Sequence, residues 1–236
     1  MDTDVQLQDS VQQVALVNYL ISMARTVEGS VRKSIEALLD TDASLAGGVF
    51  LLEPRVNEME LVIDDHAVRQ LQQADLSADH IRLIVATLRI NNDLERIGDL
   101  AVNICERVVS LAQMPAAERP PELAPMSEAV QLMVRKSLGA LIYRNIGLAH
   151  AVLQSDDLVD RYRDQIFERL LAEISKQPGL AAPGMHYVLA SRYLERIADH
   201  STNIAEDILY WLRGMDVRHN RTRMNPAPPA SWPYGA

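Results

Sequence analysis

The chain has 236 residues, enough for one large domain or two small ones, and 48% of them are apolar while only 5% are aromatic. Leu, Ile, Val and Ala must therefore build the core, which favours packed helices over a β-sandwich. The net charge of −9 argues against non-specific nucleic-acid binding, because there is no excess of cations to release counterions from phosphates.

The beginning of the chain lacks the basic and apolar regions of a signal peptide. No apolar run approaches the ~18–20 residues of a membrane span. We therefore expect a cytoplasmic protein that does not insert into a membrane. The single cysteine, Cys105, cannot form a disulfide within the chain, and its helical context favours a buried, inert thiol.

The sequence predicts six long helices and no strands. Apolar side chains recur along them at alternating steps of four and three residues, the spacing of a bundle seam. Turn and cap residues such as Asp42 and Ser77 separate the helices. Pro54 lies inside the second helix and is expected to bend it. The predicted helices cover 5–39, 42–73, 77–113, 126–143, 145–176 and 182–213.

A segment with four prolines, QMPAAERPPELAPM, separates two halves with similar patterns. The predicted fold class is all-α: two pseudo-symmetric antiparallel three-helix bundles that arise from an internal repeat. After Gly214 the chain is polar and then proline-rich, which is typical of a disordered tail. The predicted units are a first three-helix bundle at 1–113, a Pro-rich linker at 114–125, a second three-helix bundle at 126–214, and a mostly disordered tail at 215–236.

One charged motif occurs once in each half. LERIGDLAVNICE begins at Leu94 and LERIADHSTNIAE begins at Leu194, and eight of the thirteen positions are identical. At about 100° per residue, Glu95 and Asp99 lie on a line of their own, away from the apolar seam. That line continues an apolar stripe, so we expect these acids to be half-buried or at an interface. A separate line of arginines is expected to face solvent, and comprises Arg82, Arg89, Arg96 and Arg107.

The acidic residues favour a metal site in each half. Two carboxylates one helical turn apart can reach the same spot, and a second pair on a facing helix would complete an oxygen-rich site for hard or borderline cations. Asp156 and Asp160 supply such a pair in the second half, whereas the corresponding residues of the first half, Glu53 and Asn57, include a neutral amide. The predicted metal ligands are Glu53, Asn57, Glu95, Asp99, Asp156, Asp160, Glu195 and Asp199, and Glu60 and Asp64 compete for the place of Glu53 and Asn57.

Two other interpretations remain open at this point. One is a carboxylate-bridged metalloenzyme, against which the absence of any E-x-x-H pair counts. The other is a purely structural helical bundle whose acids form ordinary surface pairs with nearby arginines. No catalytic residue and no organic-cofactor site is predicted, so the chain is not expected to be an enzyme. His200 is expected to be a surface residue.

The segments NNDLERIGDLAVNICERV and SRYLERIADHSTNIAEDILYW closely resemble the PhoU family of phosphate-signalling regulators. A duplicated E-R-I-G-D segment on the third helix of each bundle is the hallmark of that family. The resemblance extends to VNEMELVID, DLVD and RGMDVRH, and covers about residues 10 to 219. Ala198 replaces the usual glycine and Leu100 a frequent histidine, but neither change removes a carboxylate.

The resemblance implies a cytoplasmic, often homodimeric protein with multinuclear metal clusters, in which iron or zinc is favoured and manganese or magnesium is a further option. The first cluster would use Glu95 and Asp99 with Glu53 and Asn57. The second would use Glu195 and Asp199 with Asp156 and Asp160. The implied role is negative regulation of phosphate uptake and of the phosphate-starvation response. The implied partners are the ATPase of a phosphate ABC transporter, a sensor histidine kinase, or both.

Overall fold

The computed structural model of the chain describes residues 2–214 and Val217, with side chains described from residue 13 onward. Every regular element in this part is helical, as predicted. Except for Val217, the predicted tail at 215–236 lies outside the described residues. The helices are α1 (Asp2–Asp40), α2 (Ala43–Phe50), α3 (Glu53–Leu71), α4 (Ala78–Ala112), α5 (Leu123–Tyr143), α6 (Ile146–Leu153), α7 (Asp156–Lys176) and α8 (Ala181–Arg213), with one 3-10 turn at Pro178–Leu180.

The two halves repeat the same arrangement, so the predicted pair of three-helix bundles is confirmed. In each half, the second of the three predicted long helices is divided into two helices, α2 and α3 in the first half and α6 and α7 in the second. Pro54 lies in the first turn of α3, where its missing N–H costs no helical hydrogen bond, so it starts a helix rather than bending one. The second break, at 154–155, contains no proline. There the Ser155 hydroxyl donates to the Ala151 carbonyl at 2.9 Å, competing with the helical ladder.

Local side-chain caps define several of the helix ends. The Asp42 carboxylate accepts from the Ser44 N–H at 2.8 Å, and Ser77 and Asn145 cap α4 and α6 in the same way. Gly214 ends α8 with a φ of 65°, a left-handed conformation that glycine adopts without strain. Its prediction as the terminating residue is confirmed.

Aliphatic side chains from both halves form one continuous core. Leu94 and Leu194, which begin the two copies of the repeated motif, are both completely buried. Cys105 is buried as expected, and burial raises the pKa of its thiol to about 12, which keeps it protonated and unreactive. None of the helices in the described part of the chain combines the length and apolar character needed to cross a membrane.

The two halves meet along α4 and α8, which run antiparallel. Arg89 Nη1 donates to Asp207 Oδ1 at 3.2 Å, and His200 Nδ1 lies 2.7 Å from Asp93 Oδ1. The expectation that His200 is a surface residue is therefore wrong. Of the arginines expected to face solvent, three are only partly exposed: Arg82, Arg89 and Arg107. Arg89 and His200 pair with carboxylates that are almost fully buried, and the Arg89 guanidinium also lies 5.3 Å from the centre of the Tyr210 ring. Arg96, by contrast, is exposed as predicted.

The irregular segment between the halves, residues 113–122, is fastened at two points. Arg119 donates to the Leu39 carbonyl at the end of α1. The Nε atom of Arg169 in α7 donates to both carboxylate oxygens of Glu122, at 3.0 Å to Oε1 and 2.9 Å to Oε2. Helix α5 then begins at Leu123, before the predicted start at 126. The division of the chain into separate domains stays a prediction.

Leu94→Ala and Leu194→Ala should each lower the free energy of unfolding by about 2–5 kcal/mol, because each leaves a cavity in the packed core. Leu61→Ala is the matched control, since Leu61 is 68% exposed, and it should change stability by less than about 0.5 kcal/mol. Urea unfolding followed by circular dichroism measures all three. An equal effect from Leu61→Ala would contradict this account of the core.

Candidate functional site

The second half brings together four carboxylates from α7 and α8. We call Asp156, Asp160, Glu195 and Asp199 the second acidic set; all four were predicted as ligands. The pKa of Asp199 is raised to about 6, first by burial and then by the charges of Glu195, Asp156 and Asp160. The ions therefore lie close enough together to repel one another.

A single arginine lies among these acids. Arg163 Nη1 donates to Asp160 Oδ1 at 2.9 Å and to Glu195 Oε1 at 2.5 Å. Its Nε and Nη2 atoms both donate to Asp164, at 3.0 and 2.9 Å. The side chains of Arg163 and Glu195 are only 20% and 15% exposed, so this pair is partly desolvated. Charge-assisted hydrogen bonds are strong in such surroundings.

The first half has its own cluster, which we call the first acidic set: Glu60 and Asp64 of α3 with Glu95 and Asp99 of α4. The pKa of Glu95 is raised from 4.5 to about 7, first by burial and then by the charge of Asp99. Arg96 opposes this shift, whereas a hydrogen bond with Asp99 and the charge of Glu60 add to it. Glu95 is 14% exposed, which confirms the expectation of a half-buried acid.

The α3 side of the first acidic set is held by a buried amide. Asn91 Nδ2 donates to the Glu60 carbonyl at 3.0 Å and to Asp64 Oδ1 at 2.9 Å. Within the described structure, Asn91 Oδ1 is buried without a hydrogen-bond partner. The pKa of Glu60 is raised by burial first and then by the charge of Asp64. One amide thus contacts the α3 side of the set through its nitrogen, and its oxygen is left without a hydrogen-bond partner.

The first set also has an arginine nearby, but at its edge. Arg96 Nε lies 3.3 Å from Glu95 Oε2, and Arg96 Nη1 lies 3.8 Å from Asp99 Oδ2. The Arg96 side chain is 53% exposed, so water competes with both contacts. The counter-charge in the first half is therefore loose, whereas Arg163 is held inside the second acidic set.

The remaining predicted ligands, Glu53 and Asn57, lie at the beginning of α3. Glu53 is the first residue of that helix, where a negative charge is favourable to the helix dipole, and Asn57 is exposed. Across the described side chains, neither forms a hydrogen bond or ion pair with Glu95 or Asp99. The structure thus brings Glu60 and Asp64 to the repeated motif instead, and the choice of metal ligands stays a prediction.

Helices α3 and α7 can be compared residue by residue because both start directly after a helix break. Aligning their first residues, Glu53 and Asp156, makes the buried positions coincide, Val56 with Val159 and Ile63 with Ile166. Glu60 then corresponds to Arg163. Sequence reasoning missed Arg163 and Asn91, although this alignment of VNEMELVID with VDRYRDQIF would have shown the exchange of charge.

The donor chemistry of the first acidic set fits a hard or borderline cation. Four carboxylates and one unpaired amide oxygen offer only oxygen ligands, and a cation would relieve their mutual repulsion. In the conformation described, no group of three His, Cys, Asp or Glu side chains among residues 13–214 is placed closely enough to hold a metal ion. Binding would therefore require the carboxylates to rotate toward one another.

The chain matches known proteins over both halves. The family model described as "PhoU domain" matches twice, at residues 20–108 and 123–208. A relative from Pseudomonas aeruginosa is 35% identical over 209 residues, covering 88% of this chain and 86% of that protein. A relative from Clostridium acetobutylicum is 30% identical over 202 residues, covering 85% and 92%. Both relatives are named "Phosphate-specific transport system accessory protein PhoU homolog".

Solved structures agree with the sequence matches. The crystal structure of PhoU from Pseudomonas aeruginosa superposes with a TM-score of 0.85 at 32% identity, covering 87% of this chain and 99% of that one. The phosphate transport system regulatory protein PhoU from Streptococcus pneumoniae superposes with a TM-score of 0.81 at 23% identity, covering 89% and 99%, which supports the fold alone. Two matched domains, the repeated acidic motif and these relatives together show that the chain belongs to the PhoU family.

Proposed function

We propose that this chain is a cytoplasmic accessory protein of phosphate-specific transport that restrains phosphate uptake when phosphate is plentiful. The observation that carries the proposal is the match of the PhoU domain to both halves, each match including one copy of the acidic motif. Relatives that share about a third of its residues over most of its length carry the name of such an accessory protein. The chain acts by contact with other proteins and not as an enzyme.

The partners we propose are the ATPase of a phosphate ABC transporter, a sensor histidine kinase, or both. A protein that connects them would lower uptake and also switch off the phosphate-starvation response. The chain would work as a homodimer, as the family resemblance implies. Its acidic balance favours partner surfaces rich in arginine and lysine.

The acidic sets are proposed to hold divalent or trivalent metal ions, with iron or zinc favoured over manganese and magnesium. In the first half Glu60, Asp64, Glu95 and Asp99 are better placed for this than Glu53 and Asn57, because their charges already interact. In the second half the ligands would be Asp156, Asp160, Glu195 and Asp199. A bound metal would neutralise the acids and fix the helix surfaces that a partner contacts.

A second route uses the same acids without metal, by pairing them with arginines of the partner. The contact of Arg163 with Glu195 favours this candidate, because it demonstrates that a guanidinium group fits against the repeated motif. The two routes differ in whether regulation needs metal at all, so metal content must be measured beside regulation.

Glu195→Ala combined with Asp199→Ala should abolish the restraint on phosphate uptake while leaving the protein folded. The reason is that the acids form a contact or metal surface and contribute little to the core. Uptake of radioactive phosphate and a starvation-responsive reporter, measured in cells that lack the native copy, report the effect.

The matched control for that experiment is Glu58→Ala combined with Glu168→Ala, which removes two exposed acids outside the acidic sets. Full regulation by the Glu195 and Asp199 variant would show that the motif is ordinary surface. Loss of its helical signal would show that the motif is structural.

Glu95→Gln, Asp99→Asn, Glu195→Gln and Asp199→Asn together should remove bound metal, because amides keep the shape of the carboxylates but not their charge. Elemental analysis of untagged protein, soaked with iron, zinc or manganese and then desalted, measures the loss. Glu58→Gln with Glu168→Gln should keep the metal. If the wild-type protein carries none under any of these conditions, the metal proposal fails and partner pairing remains.

Glu95→Gln should make the protein more stable than wild type at pH 8 but not at pH 5. In the folded chain the pKa of Glu95 is about 7, compared with its ordinary value of 4.5. Ionising Glu95 therefore costs more in the folded chain than in the unfolded chain, and the wild-type protein loses stability as the pH rises from 4.5 through about 7. The variant stays neutral throughout. Thermal unfolding should show an advantage of about 1 kcal/mol at high pH, after allowance for solvent screening. A constant difference across pH would refute this assignment.

A further inference from the structure

In the aligned helices α3 and α7 the charges near the repeated motif differ at three positions: Glu60 corresponds to Arg163, Asn57 to Asp160 and Asp64 to Phe167. Glu60 adds a negative charge to the first set, and the corresponding residue of α7, Arg163, places a positive charge in the second. A duplicated motif that binds the same ligand in both halves would be expected to keep the same surroundings. Here the charge of one neighbour is reversed.

Arg163 is held more firmly than any arginine near the first set. It donates to Asp160 and Glu195 from the same nitrogen, at 2.9 and 2.5 Å, and its side chain is 20% exposed. Asp164 fixes the other side of the guanidinium group. Arg96 of the first half is 53% exposed and no closer than 3.3 Å to its acids.

We propose that Arg163 is the resident cation of the second acidic set, so that the two halves bind metal unequally. The first set accepts a metal ion once its carboxylates rotate toward one another, without first losing a partly buried ion pair. The second set accepts one only after Arg163 has been displaced from Glu195 and Asp160. This inference rests on the metal binding proposed above and concerns which half is filled first.

Competition between the two cations follows from their shared ligands. A metal at Glu195 and Asp160 needs the same oxygen atoms that accept hydrogen bonds from Arg163 Nη1. Breaking charge-assisted hydrogen bonds in a partly desolvated place lowers the net affinity for the metal. In the first half the metal displaces only Arg96, whose contacts with Glu95 and Asp99 are long and hydrated.

A neutral side chain next to the repeated motif also differs between the halves. Asn91 Oδ1 is buried without a hydrogen-bond partner in the described structure, while Nδ2 of the same amide donates to Asp64 of the first set. The corresponding residue of α8 is Ser191, whose hydroxyl already donates to the Val188 carbonyl at 2.8 Å. The first half thus has an amide oxygen at this position, whereas the second half has a shorter hydroxyl that is turned toward the backbone of its own helix.

The test measures binding of Mn²⁺ alone to the full-length chain, followed by electron paramagnetic resonance of the free ion. Glu95→Gln with Asp99→Asn silences the first set and leaves the second, and Glu195→Gln with Asp199→Asn does the reverse. We expect the protein that keeps only the second set to bind Mn²⁺ more weakly. Adding Arg163→Met to it should raise the affinity about 10- to 100-fold, the range expected for lost charge-assisted hydrogen bonds.

Arg161→Met is the matched control, because it removes the same charge from an exposed position on α7. It should change the affinity by less than about threefold, as expected for screened surface charge. Equal effects of Arg161→Met and Arg163→Met, or equal affinities of the two silenced proteins, would overturn the inference while leaving metal binding intact. No binding by any protein would overturn the metal proposal itself, and this inference with it.

A reciprocal change covers the case in which Arg163→Met does not fold. Glu60→Arg in the protein that keeps only the first set should weaken Mn²⁺ binding more than Glu60→Gln does, because it adds a competing cation as well as removing a ligand. Circular dichroism checks that each protein is folded. If Glu60→Arg and Glu60→Gln have the same effect, a guanidinium group at this position does not compete with metal.

Discussion

The packing of α4 against α8 is the contact on which the rest of the molecule depends. Each of these helices carries one copy of the repeated motif and forms the inner wall of its own half. Glu95 interacts with Glu60 of α3 and Glu195 with Arg163 of α7, so neither acid is taken up by the α4–α8 contact. Helices α3 and α7 then supply the other charged side chains of the two acidic sets. With α4 and α8 packed together, the acids of the repeated motif remain available to α3 and α7.

The α4–α8 seam contains carboxylates that are expensive to bury. Asp93 and Asp207 are almost fully buried, and each has a cationic or hydrogen-bonding neighbour from the other half, His200 and Arg89. Buried pairs of this kind contribute little net stability, but leaving one partner alone is costly. A slide of α4 along α8 would separate both pairs at once. The polar contacts therefore select one register of the two halves, whereas the aliphatic core supplies most of the stability.

Most of the fold could be predicted from the sequence because it depends on local patterns. Seam periodicity and the repeated motif led to the helices, the two halves and the paired acids. The break at 154–155 was missed because Ser155 interrupts the helix through a hydroxyl contact that has no proline to mark it. The contact between α4 and α8 was missed because polar residues such as Arg89 and His200 are typical of a solvent-exposed helix face. The role of Arg163 depends on contacts between helices, which a single-helix projection does not contain.

The segment that connects the halves, residues 113–122, is held against the folded protein and is not a free linker. Arg119 fastens residues 113–122 to the end of α1, and Glu122 is gripped by Arg169 of α7. Since α4 and α8 also hold the halves together, cutting the exposed residues of this segment with a protease would not release two independent pieces. The nicked chain would remain one particle in size-exclusion chromatography. An unbroken backbone at this point is therefore not needed for the folded shape. Residues 113–122 are thus a suitable place for the new chain ends of a circular permutant.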